Sequence, residues 1–382
     1  MRRPAGAGGS LADSARASLL PFFATRAIVL AALALSRFLS GRLGLTGPAG
    51  VRAIGTSRAG LTAWDASWYL RVAEEGYSGA GHTSLRFFPF LPLAARALGY
   101  VPGLSDRVAL LLLVNLAGFA ALVALHRLVT LEGVGGAAAD RSVWILSLWP
   151  AAFVLVMGYA EALLLLLSVL AFWCWRTGRW WWSLLPAFLA GLTRPVGMLL
   201  AVPALVEGLS WWREGRRHLP GTALRAAGVL AAPAGAAAYL AWAAAVFGSF
   251  TAPLSEQLSP KRRGVVADPL VTLVHDASDF LHGRHLGTAL HAPFAVVFVV
   301  LAAYLFVRLP AAYGWYAVAT LAVAVTAPNL DSLERYGLAC FPLAVSAALV
   351  CANRSVERTV IVGLAAVLTG LAVLAFLGLY VP

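Results

Sequence analysis

Lysine is all but missing from this chain of 382 residues: Lys261 is the one lysine among 29 basic residues, and the rest are arginine. Acidic residues are also few, 17 in all, and charged side chains make up only 12% of the sequence. A water-facing surface needs roughly a quarter of its residues charged. That shortage excludes a soluble fold of this length. Cysteine is scarce too. Cys174, Cys340 and Cys351 stand far apart in apolar stretches without CxxC spacing. They make neither a disulfide framework nor a zinc site, and read as small core hydrophobes. No P-loop, nucleotide fingerprint or HExxH is present, and His82, His275, His282, His285 and His291 are scattered. Neither a metal nor a cofactor is expected.

What fills the space instead is apolar: 60% of the residues are hydrophobic. Apolar runs fall at 21–39, 108–128, 143–158, 160–175, 180–193, 196–209, 223–247, 293–309, 311–327, 337–352 and 360–381. They predict an all-α polytopic membrane protein of roughly eleven transmembrane helices, forming one unit over 1–382. Several runs are shorter than the ~20 residues of a perpendicular span, which suggests helices ending at a cavity. The stretch 180–209 is divided at Thr193-Arg194-Pro195. Arginine at mid-span costs about 2.5–3.5 kcal/mol and proline breaks the helix. Residues 1–18 are small and polar and read as a disordered tail. The first run lacks a cleavage site and is a retained helix.

The net charge of +12 lies mostly in short loops, the signature of topology and anionic headgroups rather than of a nucleic-acid partner. Arg127, Arg141, Arg176, Arg179, the cluster at 213–225, Arg308, Arg354 and Arg358 then fall on the cytoplasmic side. Two large loops, 41–106 and 248–290, and a turn at 328–335 face outward, in a multi-pass protein of the plasma (inner) membrane. Long loops escape the charge rule, so Lys261-Arg262-Arg263 does not conflict with it. The arginine bias fits a GC-rich bacterial genome. No internal repeat supports an inverted-repeat transporter.

The first outer loop carries TAWDASWYLRVAEEGYS at 62–78. After Asp65, apolar Trp68, Tyr69, Val72 and Ala73 oppose Arg71, Glu74 and Glu75. That pattern predicts a short interfacial amphipathic helix stopped by Gly76. Asp65 is its N-cap, a catalytic base, or both. Trp64 and Trp68 suit interfacial anchors. Glu161, in Tyr159-Ala160-Glu161, joins two apolar runs, and an acid so placed is a functional candidate. Arg194 and Arg335 stand at outer helix ends, where guanidinium either snorkels or grips a lipid phosphate bidentately. Arg86, in the proline-stiffened Arg86-Phe87-Phe88-Pro89, is a third candidate.

Five segments in order resemble the PIG-V family, the second mannosyltransferase of GPI-anchor synthesis, and its bacterial relatives. They are WDASWYLRVAEEGY (64–77), FFPFLPLAAR (87–96), WPAAFVLVMGYAEALLLLLS (149–168), GLTRPVG (191–197) and ERYGLACFPL (334–343). The loop around Gln257 and Arg262 is a looser match. The resemblance implies a GT-C glycosyltransferase with an outward-facing site. Its donor would be polyprenyl-phosphate-mannose, and its acceptor a glycolipid, glycan or protein. The eukaryotic GPI acceptor does not carry over to a bacterial chain. Outside the inner membrane there are no nucleotide sugars, and a polyprenyl phosphate needs no acid to leave. It needs a base for the acceptor hydroxyl and cations for the phosphate. Asp65 is then the catalytic base, and Arg86, Arg194 and Arg335 bind donor phosphate. Trp64, Tyr159, Glu161 and Tyr336 bind substrate. The competing class is a lipid or glycolipid transporter or flippase.

Overall fold

The computed structural model describes residues 10–42, 47–215, 218–258, 267–284, 289–326 and 330–380. Lys261, Arg262, Arg263 and His285 lie outside them. Within the described residues the chain forms 17 α-helices and short 3-10 turns.

Of the stretch 1–18 read as disordered, residues 1–9 lie outside the described residues, and residues 11–18 instead open the first helix, α1 (Leu11–Arg42). The Ser10 N–H donates to the Asp13 carboxylate at 2.9 Å, and the Asp13 N–H donates to the Ser10 hydroxyl at 3.1 Å. This reciprocal cap starts the helix ahead of its apolar run. Ser14, Ser18, Thr25, Ser36 and Ser40 are buried. Hydroxyls such as Ser18, on the Ser14 carbonyl at 2.8 Å, bond back within the helix. A run that looks polar therefore packs. Arg26, which weakens the hydropathy of this segment, donates to the Asn115 side chain and the Leu155 carbonyl, each at 3.0 Å.

The segment between the first two long apolar helices is a layer of short helices: α2 (Gly47–Ala59), α3 (Asp65–Ala80) and α4 (Phe90–Gly99), with 3-10 turns at Gly60–Thr62 and His82–Arg86. Gly76 breaks α3, as expected, with φ 70° and ψ 175°, a conformation that favours glycine. The N-cap reading of Asp65 is corrected. Trp64 occupies the cap position, and its side chain makes no capping hydrogen bond. Asp65 is the first helical residue, and its carboxylate turns to arginine instead.

Below the layer run α5 (Asp106–Leu131), α6 (Gly136–Ser147), α7 (Glu161–Arg176), α8 (Trp180–Thr193), α9 (Ala201–Arg213) and α10 (Leu219–Phe247). The second half comprises α11 (Ala252–Gln257), α12 (Pro269–Leu281), α13 (Ala292–Arg308), α14 (Ala311–Val325), α15 (Leu333–Ala339), α16 (Phe341–Val350) and α17 (Arg354–Phe376). Among the described residues, five helical segments are long and apolar enough to cross a membrane: Leu11–Arg42, Asp106–Leu131, Pro195–Arg213, Leu219–Phe247 and Arg354–Phe376. α15 and α16, bent by 85° at Cys340, make a sixth if they form one broken span. The chain is a polytopic all-helical membrane protein. The break at Arg194 is as expected, for α8 ends at Thr193 and Arg194 is extended before the 3-10 turn Pro195–Leu200.

Small residues set the packing. Gly191 faces the Ala232 carbonyl and Gly235 the Phe188 carbonyl so closely that neither has room for a Cβ. Backbones that approach like this gain dispersion contact where lipid offers no hydrophobic drive. At the far end of α7 from Glu161, Arg176 donates to both oxygens of Glu132, at 2.7 and 3.1 Å, and to Glu207 at 3.2 Å. Tyr313 donates to Glu132 at 2.8 Å. This buried lock ties α5, α7, α9 and α14 together, leaving the other end of the bundle for the site.

Candidate active site

The residues nominated from sequence converge at the end of the bundle beneath the helical layer. Asp65 opens α3, Glu161 opens α7, Arg194 terminates α8, and Arg335 lies on α15. Arg335 is the hub. Its NH1 donates to the Asp65 carboxylate at 2.9 Å, and its Nε lies 2.8 Å from Glu161. Arg194 pairs with the same Glu161 oxygen. Arg86 approaches the other Asp65 oxygen at 3.8 Å. Among the described residues, the ion pairs here set three guanidiniums against two carboxylates, an excess of one positive charge. Burial alone would push the Asp65 carboxyl up, but Arg335, Arg86 and Arg194 outweigh it and hold it below the ordinary carboxylate value.

Tyr159 is fully buried beneath the hub. Its hydroxyl accepts from the Asp65 N–H at 3.3 Å, and its ring lies 5.4 Å from the Arg335 guanidinium. Trp64 takes φ 57° and ψ −129°, an unusual conformation for a bulky side chain. Its indole N–H, bonded to the Ala375 carbonyl at 2.9 Å, anchors that conformation to the end of α17. Tyr336 lies within electrostatic reach of Arg194 and Arg335. Gly158 is a required close approach. A Cβ there would meet Leu110 at 2.7 Å and Ala66 at 3.3 Å, and its N–H donates to the Leu61 carbonyl at 3.0 Å. This contact presses the Asp65 turn against the start of α7.

Other supports were not nominated from sequence. Tyr77 donates to the Phe87 carbonyl at 2.6 Å and Tyr239 to the Leu85 carbonyl at 2.7 Å. The two phenols thus bracket Arg86, whose guanidinium covers the Phe87 ring at 4.3 Å. Phe87 in turn stacks on Trp68, with centroids 5.8 Å apart. Tyr69, beside Arg194 and Asp65, has its phenol pushed up to about 12 by burial and stays protonated. Tyr77 belonged to a visible Gly-Tyr pair. Nothing in local spacing pointed to Tyr239.

Short helices packed on a bundle of apolar ones, with acids and arginines gathered at their junction, define a polytopic membrane protein with a buried charged cluster. No curated protein sequence matches the chain. The family description "Mannosyltransferase (PIG-V)" matches residues 14–206, and the chain belongs to this family of membrane mannosyltransferases. That match contains Asp65, Arg86, Tyr159, Glu161 and Arg194. Arg335 and Tyr336 fall beyond it and join the site through the fold.

Proposed function

We propose that this mannosyltransferase takes its sugar from polyprenyl-phosphate-mannose and works on the outer face of the plasma membrane. The acceptor is a glycolipid, glycan or protein, and the bundle is of the GT-C kind with roughly eleven spans. The observation that carries this reading is the surplus of one guanidinium around a partly exposed Asp65. A lipid-linked phosphate brings the matching negative charge.

The acceptor hydroxyl oxygen attacks the anomeric carbon opposite the phosphate. The bond from that carbon to the phosphate oxygen breaks, and the electron pair leaves with the polyprenyl phosphate. The hydroxyl proton passes to Asp65, and a β-linked donor yields an α-mannoside. Arg86, Arg194 and Arg335 take up the charge that grows on the leaving phosphate. As they turn toward phosphate they draw positive charge away from Asp65. Its proton affinity then rises at the stage when a base is needed. Glu161 holds Arg194 and Arg335 until the donor arrives, Tyr159 steadies the Asp65 backbone, and Trp64 and Tyr336 meet the substrate.

The test is mannosyl transfer from labelled polyprenyl-phosphate-mannose in membranes carrying the wild type or Asp65→Asn. Label entering product only with the wild type supports the reading. An Asp65→Asn protein as fast as wild type removes the base. Transfer by neither, with both folded, removes the donor and brings the transporter class forward.

A further inference from the structure

The hub residue Arg335 sits on a helix of only seven residues, too short to hold itself. Its neighbour Glu334 has a completely buried side chain and points away from the site. The Glu334 carboxylate lies 2.6 Å from His291 Nδ1 and accepts from the Tyr380 hydroxyl at 2.8 Å. The backbone carbonyl of Glu334 accepts from the Trp149 indole N–H at 2.9 Å. The other ring nitrogen of His291, Nε2, faces Asp331 at 3.7 Å. Between these two acids lies Ser332, with φ 69° and ψ 14°, in a left-handed conformation that costs a non-glycine residue roughly 1–3 kcal/mol.

We infer that His291, as an imidazolium, is the positioning residue for Arg335. It joins Asp331 to Glu334 across the strained Ser332 turn and so fixes where α15 presents its guanidinium. The inference rests on the proposed function for its kinetic part only. A neutral imidazole has one N–H and turns it to one of these carboxylates, whereas the cation points an N–H at each, with a hydrogen bond to Glu334 and an ion pair with Asp331 at 3.7 Å. Burial opposes a charge on His291, and the carboxylates that face it outweigh that cost: Glu334 on α15, Asp331 before it and Asp276 on α12. The Tyr380 phenol also lies against the ring and donates to Glu334. Asp276 also accepts from the Leu330 N–H at 3.3 Å, which ties α12 to the same turn. Loss of the proton releases one side of the clamp. Arg335 then loses its aim at Asp65 and Glu161, while the rest of the bundle stays folded.

Two measurements test this. The first follows transfer from undecaprenyl-phosphate-mannose across pH in membranes bearing wild type, His291→Gln or Asp331→Asn. The wild-type kcat should fall on the alkaline side as the imidazolium deprotonates. His291→Gln should lack that limb and be about ten- to a hundredfold slower at its plateau, with KM changed far less. Asp331→Asn should keep the limb and move it to lower pH, because the imidazolium has lost an anionic neighbour. The second records nitrogen NMR of histidine-labelled full-length protein in nanodiscs, with His291 assigned by difference from His291→Gln. Both ring nitrogens should carry protons at neutral pH. A singly protonated His291 there, or the same alkaline limb in His291→Gln, overturns the inference. If His291→Gln does not fold, the direction in which Asp331→Asn moves the limb decides. A wild type that transfers no mannose defeats the proposed function, and the NMR still decides the protonation of His291.

Discussion

Arg335 and Asp65, 270 residues apart in the chain, meet at 2.9 Å, and the same guanidinium lies 2.8 Å from Glu161. One side chain on a short helix near the end of the sequence thereby joins the start of α3 to the start of α7. Replacement by Gln should leave two acids facing each other with one fewer cation. Breaking such a buried pair costs about 3–5 kcal/mol. Arg335→Gln should show a lower melting temperature and a transfer rate reduced by about a hundred- to a thousandfold. Arg335→Lys should recover much of the stability and little of the rate, because one ammonium cannot serve both acids in the same geometry. Equal recovery of both would show that charge alone suffices.

The lowered pKa of Asp65 gives a pH prediction with a definite sign. Its folded-state value is below the ordinary carboxylate value, so its ion pairs contribute stability fully above that ordinary value. The contribution disappears as pH falls through the depressed folded value. Asp65→Asn should therefore lose stability relative to wild type at neutral pH, and the gap should close only in strong acid. Thermal melts of both proteins across pH check this; a gap that closes above the ordinary carboxylate range contradicts it.

Gly158 lets the turn before α3 touch the turn before α7. Gly158→Ala pushes a methyl group into Leu110, an overpacking change worth about 1–3 kcal/mol. The transfer rate should fall with stability, since the Asp65 and Tyr159 segments separate together. Adding Leu110→Ala should restore part of both. Failure of that second change to help would move the cause elsewhere.

Tyr77 and Tyr239 hold the carbonyls on either side of Arg86. Removing both hydroxyls, as Tyr77→Phe with Tyr239→Phe, leaves two buried acceptors without these donors at about 1–3 kcal/mol each. The looser Arg86 should raise KM for the lipid-linked donor more than it lowers kcat. Steady-state kinetics on the double variant would show the reverse pattern if Arg86 contributes only in the transition state.

Much of the site was legible because several of its residues announce themselves locally. An acid opening an amphipathic helix, an acid between two apolar runs and an arginine before a proline are each anomalous within a membrane sequence. Gly76 and the Arg194 break were readable for the same reason, since the chain cannot continue a helix there. Residues 11–18 were misread because composition counts a serine as polar wherever it points. In α1 the serines face inward and bond their own backbone. The N-cap alternative for Asp65 fails because Arg335 competes for its carboxylate, which local sequence does not show.

By itself the sequence determined that the chain lives in a membrane and that its acids and arginines gather near helix ends. Both follow from the cost of placing charge in hydrocarbon, which acts on each residue where it stands. Only the tertiary structure decided which of these charges meet. Pairing Arg335 with Asp65 across 270 residues, or His291 with Glu334 across 43, depends on how helices separated in the chain pack. Close packing of small residues sets those distances, and no local spacing encodes them.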